Sequence, residues 1–295
     1  MKLSIIFITC NRKDELKRAI NSCIKNMIAN TEIIVVDNNS TDGTKEAIEP
    51  ILMSYGITYK YYYSNKNLGV AGGRNKAMEM ARGEYVFALD DDAIIKSEHF
   101  FDKICKKMDQ NLNIVAAAVE IYEPLTNSFL NNKIYESKKS DYTGSLTTSF
   151  IGAAHILRRD FYEGFNLYPE KLMFGSEELY PSLIAVKENK LVAYFDDLKV
   201  EHLPSKISRV AGQERDFNFI LNIYIVRKLC YPKIVLPFLI ITLLLRINKN
   251  NLTKFKSYKE MKHIHDLRYN KKDIKRMKFS RFIHLVKEVG LFELI

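Results

Sequence analysis

Three carboxylates in a row, Asp90-Asp91-Asp92, directly follow the apolar run Val86–Leu89. Adjacent carboxylates repel one another, so this run needs a compensating cation. In extended backbone, side chains alternate with a period of two, which would place Asp90 and Asp92 on one side. Two oxygen ligands there, with room for phosphate oxygens and water, suit Mg²⁺ or Mn²⁺. A cation so held would neutralise a departing diphosphate. The plainer alternative is a helix N-cap with extra surface acids. A second acidic pair, Glu177-Glu178, lies between Gly175 and the apolar residues Leu179, Leu183 and Ile184. A carboxylate there could accept a proton from a hydroxyl nucleophile, or it could be a first-turn acid complementing a helix dipole.

Between these clusters, Asn67–Asn75 (NLGVAGGRN) combines close glycines with Arg74 at a helix start. Glycines allow close approach of backbone, and a helix terminus with a guanidinium favours an anion. The Gly-x-Gly-x-x-Gly spacing of a dinucleotide site is missing, as is the Gly-Lys-Ser/Thr of an ATP-binding loop. His202, in Val200–Pro204, reads by itself as structural more often than as a ligand. His155, after Gly152-Ala153-Ala154, reads as a satisfied core residue or as part of an acceptor pocket.

The elements that must position these groups follow from periodicity. Leu3–Ile8, Ile33–Val36, Tyr59–Tyr63 and Tyr85–Leu89 read as strands. Asp14–Ile28, a segment from Thr44 that Pro50 should bend or end, and Ala71–Ala81 read as helices. Strands alternating with helices predict βαβ units and a mostly parallel sheet. Ligands of such sheets bind beyond the carboxyl ends of the strands, where the polar clusters after Ile8, Val36 and Leu89 fall. Asn131–Gly144 reads as a polar loop or lid, Leu191–Phe195 as a further strand and Gly212–Tyr231 as a helix. The first residues, MKLSIIFITCNR, read as a buried strand rather than a leader. Four dispersed cysteines form no paired spacing and suit a reducing compartment.

Six stretches in order carry a family resemblance: SIIFITCNR (4–12), VVDNNSTDGT (35–44), NLGVAGGRN (67–75), ALDDD (88–92), IGAAHILRR (151–159) and FGSEELYPSL (174–183). The chain resembles the inverting glycosyltransferases of family 2, of GT-A fold, over roughly residues 1–205. That resemblance implies an α/β fold with a mostly parallel sheet flanked by helices, and a nucleotide-sugar donor. It implies that Thr9, Asp37 and Asn38 lie beside the nucleoside, with Asn38 where a second aspartate is common. Arg74 would approach the ribose or diphosphate, and Asp90 and Asp91 would belong to the donor side. Asp90, Asp92 and His202 would hold Mn²⁺ or Mg²⁺. Glu178 falls on the catalytic base position, with glutamate replacing the commoner aspartate. Gly152, Ala153, His155 and Glu177 would line the pocket. The arginine frequent six residues after the base is replaced by Ile184.

Charge divides the chain. Arg246–Arg281 holds 13 Lys or Arg against three acids, a local +10 that equals the net charge of the whole chain. Before it lies Ile234–Leu245 (IVLPFLIITLLL), too short as a helix for the ~30 Å hydrocarbon layer. The reading is a GT-A domain over 1–209 and a basic, mainly helical C-terminal region over 210–295. This region either packs internally or associates with the anionic inner face of the cell membrane from the cytoplasm. A glycan or lipid-linked acceptor of surface polysaccharide or lipopolysaccharide assembly fits this layout. Nucleic acid does not, because no reading motif accompanies the charge. The rival readings are a sugar nucleotidyltransferase, whose Gly-rich loop after the first strand is missing, and a non-catalytic glycan- or membrane-binding protein.

Overall fold

The computed structural model describes residues 1–130, 134–136, 142–165, 167–172, 175–205, 212–252, 256, 258–268 and 276–294. The first half alternates strands and helices: β1 (Leu3–Thr9), α1 (Lys13–Ile24), β2 (Thr31–Asp37), α2 (Thr44–Ser54), β3 (Thr58–Tyr63), α3 (Gly69–Met80) and β4 (Tyr85–Leu89). Then come β5 (Ala93–Ile95), α4 (Phe100–Asp109), β6 (Ile114–Glu123), β7 (Ser128–Phe129), β8 (Ile134–Glu136), β9 (Ser145–Thr147) and β10 (Ala154–Arg158). A short α5 (Arg159–Tyr162), α6 (Leu179–Lys187) and the long β11 (Leu191–His202) follow. Among the described residues five helices follow: α7 (Gly212–Cys230), α8 (Leu236–Lys249), α9 (Tyr258–Arg268), α10 (Phe279–Val289) and α11 (Leu291–Leu294).

The strands form one sheet in the order β3-β2-β1-β4-β10-β6-β11-β9-β8, with β5 on β11 and β7 on β6. β3, β2, β1 and β4 are mutually parallel, and β10 runs antiparallel between β4 and β6. Of the parallel strands, β1, β2 and β4 are largely apolar on both faces, as burial on both sides requires, while the edge strand β3 is only partly buried. Ile5, Phe7, Ile33, Val35 and Phe87 face α1, α2 and α4, while Ile6, Ile34, Val36, Val86 and Ala88 face α3. Phe87, Phe100 and Phe101 meet edge to face at 5.3–5.4 Å between centroids.

Two local expectations change. α2 runs through Pro50 to Ser54. The proline removes one N–H bond, but Ile48 and Leu52 on either side of it are fully buried and hold the helix on the sheet. Within the expected polar loop at 131–144, Ile134–Glu136 pairs with β9 as a strand; residues 131–133 and 137–141 lie outside the described residues. The boundary expected at 209/210 also lies outside them. On its far side, Phe217, Leu221 and Ile225 of α7 share one buried cluster with Leu157 of β10, Leu183 of α6 and Val192 of β11. Leu239, Ile247, Met261, Phe282 and Leu285 of the later helices belong to that same cluster.

Candidate functional site

Because β1, β2 and β4 are parallel, Thr9, Asp37 and Asp90–Asp92 come out at one edge of the sheet. β10 pairs Ala154 with Leu89, and the Asp90 N–H donates to the Ala153 carbonyl at 2.9 Å, bringing Gly152-Ala153 alongside. β11 pairs His202 with Ala93, the residue after Asp92. Sequence stretches more than 100 residues apart thus converge on one rim.

The acidic run is a turn, not the extended strand that the alternation argument assumes: β4 stops at Leu89 and the Ala93 N–H closes onto the Asp90 carbonyl at 3.1 Å. The turn still brings Asp90 and Asp92 together. One ligand atom each from Asp90, Asp92 and His202 lie within 4.8 Å of one another. His202 Nε2 is 3.3 Å from Asp92 Oδ1, and Asp92 Oδ2 accepts the Ser205 N–H at 2.9 Å. Burial opposes ionisation of Asp92, but the His202 hydrogen bond and charge, with the Ser205 N–H, hold its pKa below the usual carboxylate range. Two carboxylates and an imidazole are a donor set that fits Mg²⁺ or Mn²⁺.

Asp91 turns inward instead. It is 3% exposed and accepts Arg12 Nη1 at 2.9 Å, with Asp92 Oδ2 3.6 Å from the same nitrogen. Burial pushes the Asp91 carboxyl up to about 7 against the opposing pull of Arg12. Arg12 is a site residue that the sequence reading missed. The signal was available: three adjacent carboxylates demand positive charge, and Arg12 follows the end of the neighbouring strand.

Arg74 is the second cation of the site, 2% exposed. Its Nη1 donates to Glu177 Oε1 at 2.9 Å, and its Nη2 to Asp90 Oδ1 at 2.9 Å and to the Gly152 carbonyl at 2.8 Å. A guanidinium expected to face the donor is thus committed to protein oxygens and ties the two acidic clusters together. A Cβ on Gly152 would lie 3.1 Å from Arg74 Nη2, so glycine leaves the guanidinium its room. Gly73 likewise serves packing more than ligand approach, since a Cβ there would meet Ile8 Cγ2 at 2.5 Å.

The Glu177-Glu178 pair follows two successive residues with positive φ, Gly175 (82°) and Ser176 (65°). This bend sends Glu177, 5% exposed, to Arg74, while half-buried Glu178 stands at the residue before α6 without a side-chain capping hydrogen bond. Burial and the adjacent Glu177 charge raise the Glu178 pKa, with Arg74 only partly opposing them. The bend itself is held from α7: fully buried Asn222 donates to the Leu172 and Gly175 carbonyls at 3.0 and 2.8 Å. Nothing in the sequence pattern of α7 singles out Asn222.

At the ends of β1 and β2, Thr9 and Asp37 are 2% and 1% exposed. Asp37 Oδ1 accepts the Ser40 N–H at 2.8 Å and Oδ2 accepts the Tyr61 hydroxyl. Asn38 donates to the Gly69 carbonyl at 3.1 Å and accepts the Leu68 N–H at 3.4 Å, tying the end of β2 to the turn before α3. His155 is core: it is fully buried, stacks on Phe150 at 4.4 Å and shares a hydrogen bond of 2.9 Å with the Tyr168 hydroxyl. Burial and nearby Arg74 hold its pKa well below the ordinary value, so the ring is neutral.

A mostly parallel sheet with this carboxylate rim defines the GT-A class. In solved structures the same fold occurs in Staphylococcus aureus TarS (residues 1–349) in complex with UDP, with a TM-score of 0.66 and 18% identity, covering 89% of this chain and 78% of that one. It also occurs in a Pyrobaculum calidifontis mannosyltransferase in complex with GDP-Man and Mn²⁺, with a TM-score of 0.61 and 13% identity over 99% of this chain and 77% of that one. The chain belongs to glycosyl transferase family 2, whose model matches residues 4–165. It is 36% identical over 91 residues to the Campylobacter jejuni GalNAc(5)-diNAcBac-PP-undecaprenol beta-1,3-glucosyltransferase, covering 31% of this chain and 29% of that protein. It is 38% identical over 90 residues to the Escherichia coli UDP-Glc:alpha-D-GlcNAc-diphosphoundecaprenol beta-1,3-glucosyltransferase WfaP, covering 30% and 35%. The chain therefore spans about a third of the length of these two named relatives.

Proposed function

We propose that this protein is a metal-dependent, inverting glycosyltransferase that moves a sugar from a nucleoside-diphosphate sugar to a hydroxyl of a glycan or lipid-linked acceptor. The observation that carries this reading is the Arg74 bridge. It sets the Asp90/Asp92/His202 group beside the Glu177-Glu178 loop and, among the described residues, commits its cation to Glu177 rather than to Glu178. Mn²⁺ or Mg²⁺ on Asp90, Asp92 and His202 would supply neutralisation of the diphosphate. Thr9, Asp37 and Asn38 form the wall against which the nucleoside lies, and Asp91 with Arg12 keeps the acidic turn in shape. Gly152, Ala153 and Glu177 border the space between donor and acceptor.

A glutamate with a raised pKa is a competent proton acceptor near neutral pH. Glu178 takes the proton of the acceptor hydroxyl as its oxygen bonds to the anomeric carbon. The bond from that carbon to the diphosphate oxygen breaks, and its electron pair leaves with the nucleoside diphosphate. One displacement inverts the anomeric configuration and needs no covalent enzyme intermediate. Two named relatives carry undecaprenol diphosphate in the names of their acceptors, which supports a lipid-linked acceptor of polysaccharide assembly here. No helix among the described residues is long and apolar enough to cross a membrane. The apolar stretch 234–245 and the basic segment after it support a peripheral meeting with such an acceptor at the cytoplasmic face.

Purified protein incubated with UDP-, dTDP- and GDP-sugars, Mn²⁺ and lipid extract should release nucleoside diphosphate and give a product of inverted anomeric configuration by NMR. Pyrophosphate release from a sugar phosphate and a nucleoside triphosphate would establish the nucleotidyltransferase instead. Absence of turnover with every donor would leave the non-catalytic binding protein.

A further inference from the structure

Helix α8 is apolar on both sides, and this chain buries only one of them. Leu239 and Ile247 pack inward, at 2% exposure each. The opposite side shows Phe238 (55% exposed), Ile241 (54%) and Leu245 (63%), with Ile240 and Leu244 flanking them, and Ile234 (64%) in the 3-10 turn Lys233–Val235 just before the helix continues their line. These positions recur every three to four residues, so they form one continuous stripe along the helix. An outward stripe of large apolar side chains of this length marks a surface that another phase or molecule covers.

The charge around the stripe identifies what covers it. Between Asp216 and Glu260 the sequence has no acid, against eight Lys or Arg. Lys233 and Lys249 are exposed at the two ends of the stripe. A second copy would bring like charges together, which costs affinity. An anionic lipid surface complements both features, since its headgroups meet the lysines and its acyl boundary takes the stripe. The helix has 14 residues, a length of about 21 Å, and its exposed apolar residues run from Phe238 to Leu245, more than two turns along it. That geometry suits a helix lying in the plane of the interface rather than one entering by its tip.

We propose that α8 lies flat in the surface of an anionic bilayer, inserting Ile234, Phe238, Ile241 and Leu245. This builds on the peripheral reading above and assigns it to one helix face. α8 packs on α7, whose Asn222 holds the bend before Glu177, so the inserted helix is tied through α7 to the loop that carries Glu178.

The chain has no tryptophan, so single-tryptophan variants of the full chain report local insertion. Phe238→Trp should shift its emission to the blue on adding phosphatidylglycerol-containing vesicles. Met53→Trp, at an exposed site on α2 (62% exposed), should not shift. Phe238→Glu/Ile241→Glu should cut co-flotation with those vesicles at least about tenfold while keeping donor-dependent release of nucleoside diphosphate. If the full chain floats but Phe238→Trp does not shift and the double variant still floats, the α8 assignment is overturned and the peripheral reading stands. If the full chain does not float at all, both are overturned. A blue shift that grows with protein concentration without vesicles, together with a dimer in sedimentation, would mean that a second copy covers the stripe.

Discussion

The two acidic clusters of this molecule meet at one arginine and are handled in opposite ways. At Asp90–Asp92 each carboxylate has a partner of its own: Arg74 for Asp90, Arg12 for Asp91, His202 and the Ser205 N–H for Asp92. At Glu177-Glu178, among the described residues, the Arg74 cation pairs with Glu177, and burial leaves Glu178 with a raised pKa. The same functional group thus meets different surroundings. His202 and the Ser205 N–H hold Asp92 below the usual carboxylate range, whereas burial raises Asp91 in spite of Arg12, and raises Glu178 together with the neighbouring Glu177 charge.

The largest effect expected from this contrast is on proton transfer. Glu178→Gln should bind donor and metal but lose roughly 10²–10⁴-fold in transfer rate, the range for removing a general base. The wild-type rate should rise with pH through a range above the ordinary glutamate value, and the variant should lack that rise. Stability gives an independent reading. The native state holds the Glu178 proton more tightly than the unfolded chain, so the stabilisation is complete below the unfolded pKa and is lost as pH rises through the native one. Glu178→Gln should therefore be more stable than wild type at alkaline pH, with the difference vanishing in acid. Near wild-type transfer by Glu178→Gln, with Glu177→Gln inactive, would move the base to Glu177.

Removing the shared cation tests the bridge. Arg74→Met should lower unfolding free energy by about 3–5 kcal/mol, the scale for breaking a buried ion pair, because Glu177 keeps a buried charge without its partner. Adding Glu177→Gln to Arg74→Met should recover part of the loss in denaturant titration. Failure to recover any of it would mean that Arg74 matters through its packing and its bond to Gly152 rather than through Glu177.

The smallest of the three changes acts on the compensated cluster. Asp92→Asn keeps size and one acceptor oxygen but removes charge, so donor affinity in the presence of Mn²⁺ should fall by at least the ~10–100-fold that even an outer-shell partner contributes. Calorimetry with donor and Mn²⁺ on the folded variant measures this directly. Unchanged Mn²⁺-dependent affinity would return Asp92 to a purely structural role with His202 and Ser205.

The sequence by itself determined the parallel centre of the sheet, because strands buried on both faces are continuous apolar runs, and β1, β2 and β4 fall where those runs are. It also singled out Asp90–Asp92 and Glu177-Glu178, which interrupt apolar segments at element ends. Only the tertiary structure decided how these groups are used. Asp90 and Asp92 come together through a turn, which a period-two argument cannot foresee. Arg74 faces protein carboxylates rather than open solvent, because the neighbouring β10 brings Gly152 beside β4 and α6 brings Glu177 above it. Arg12 and Asn222 act on residues some 80 and 50 positions away in sequence, and pairings of that separation leave no local periodicity. The exposed stripe of α8 belongs to the same class. Its apolar composition was plain in the sequence, but which side packs inward depended on where α7 lies.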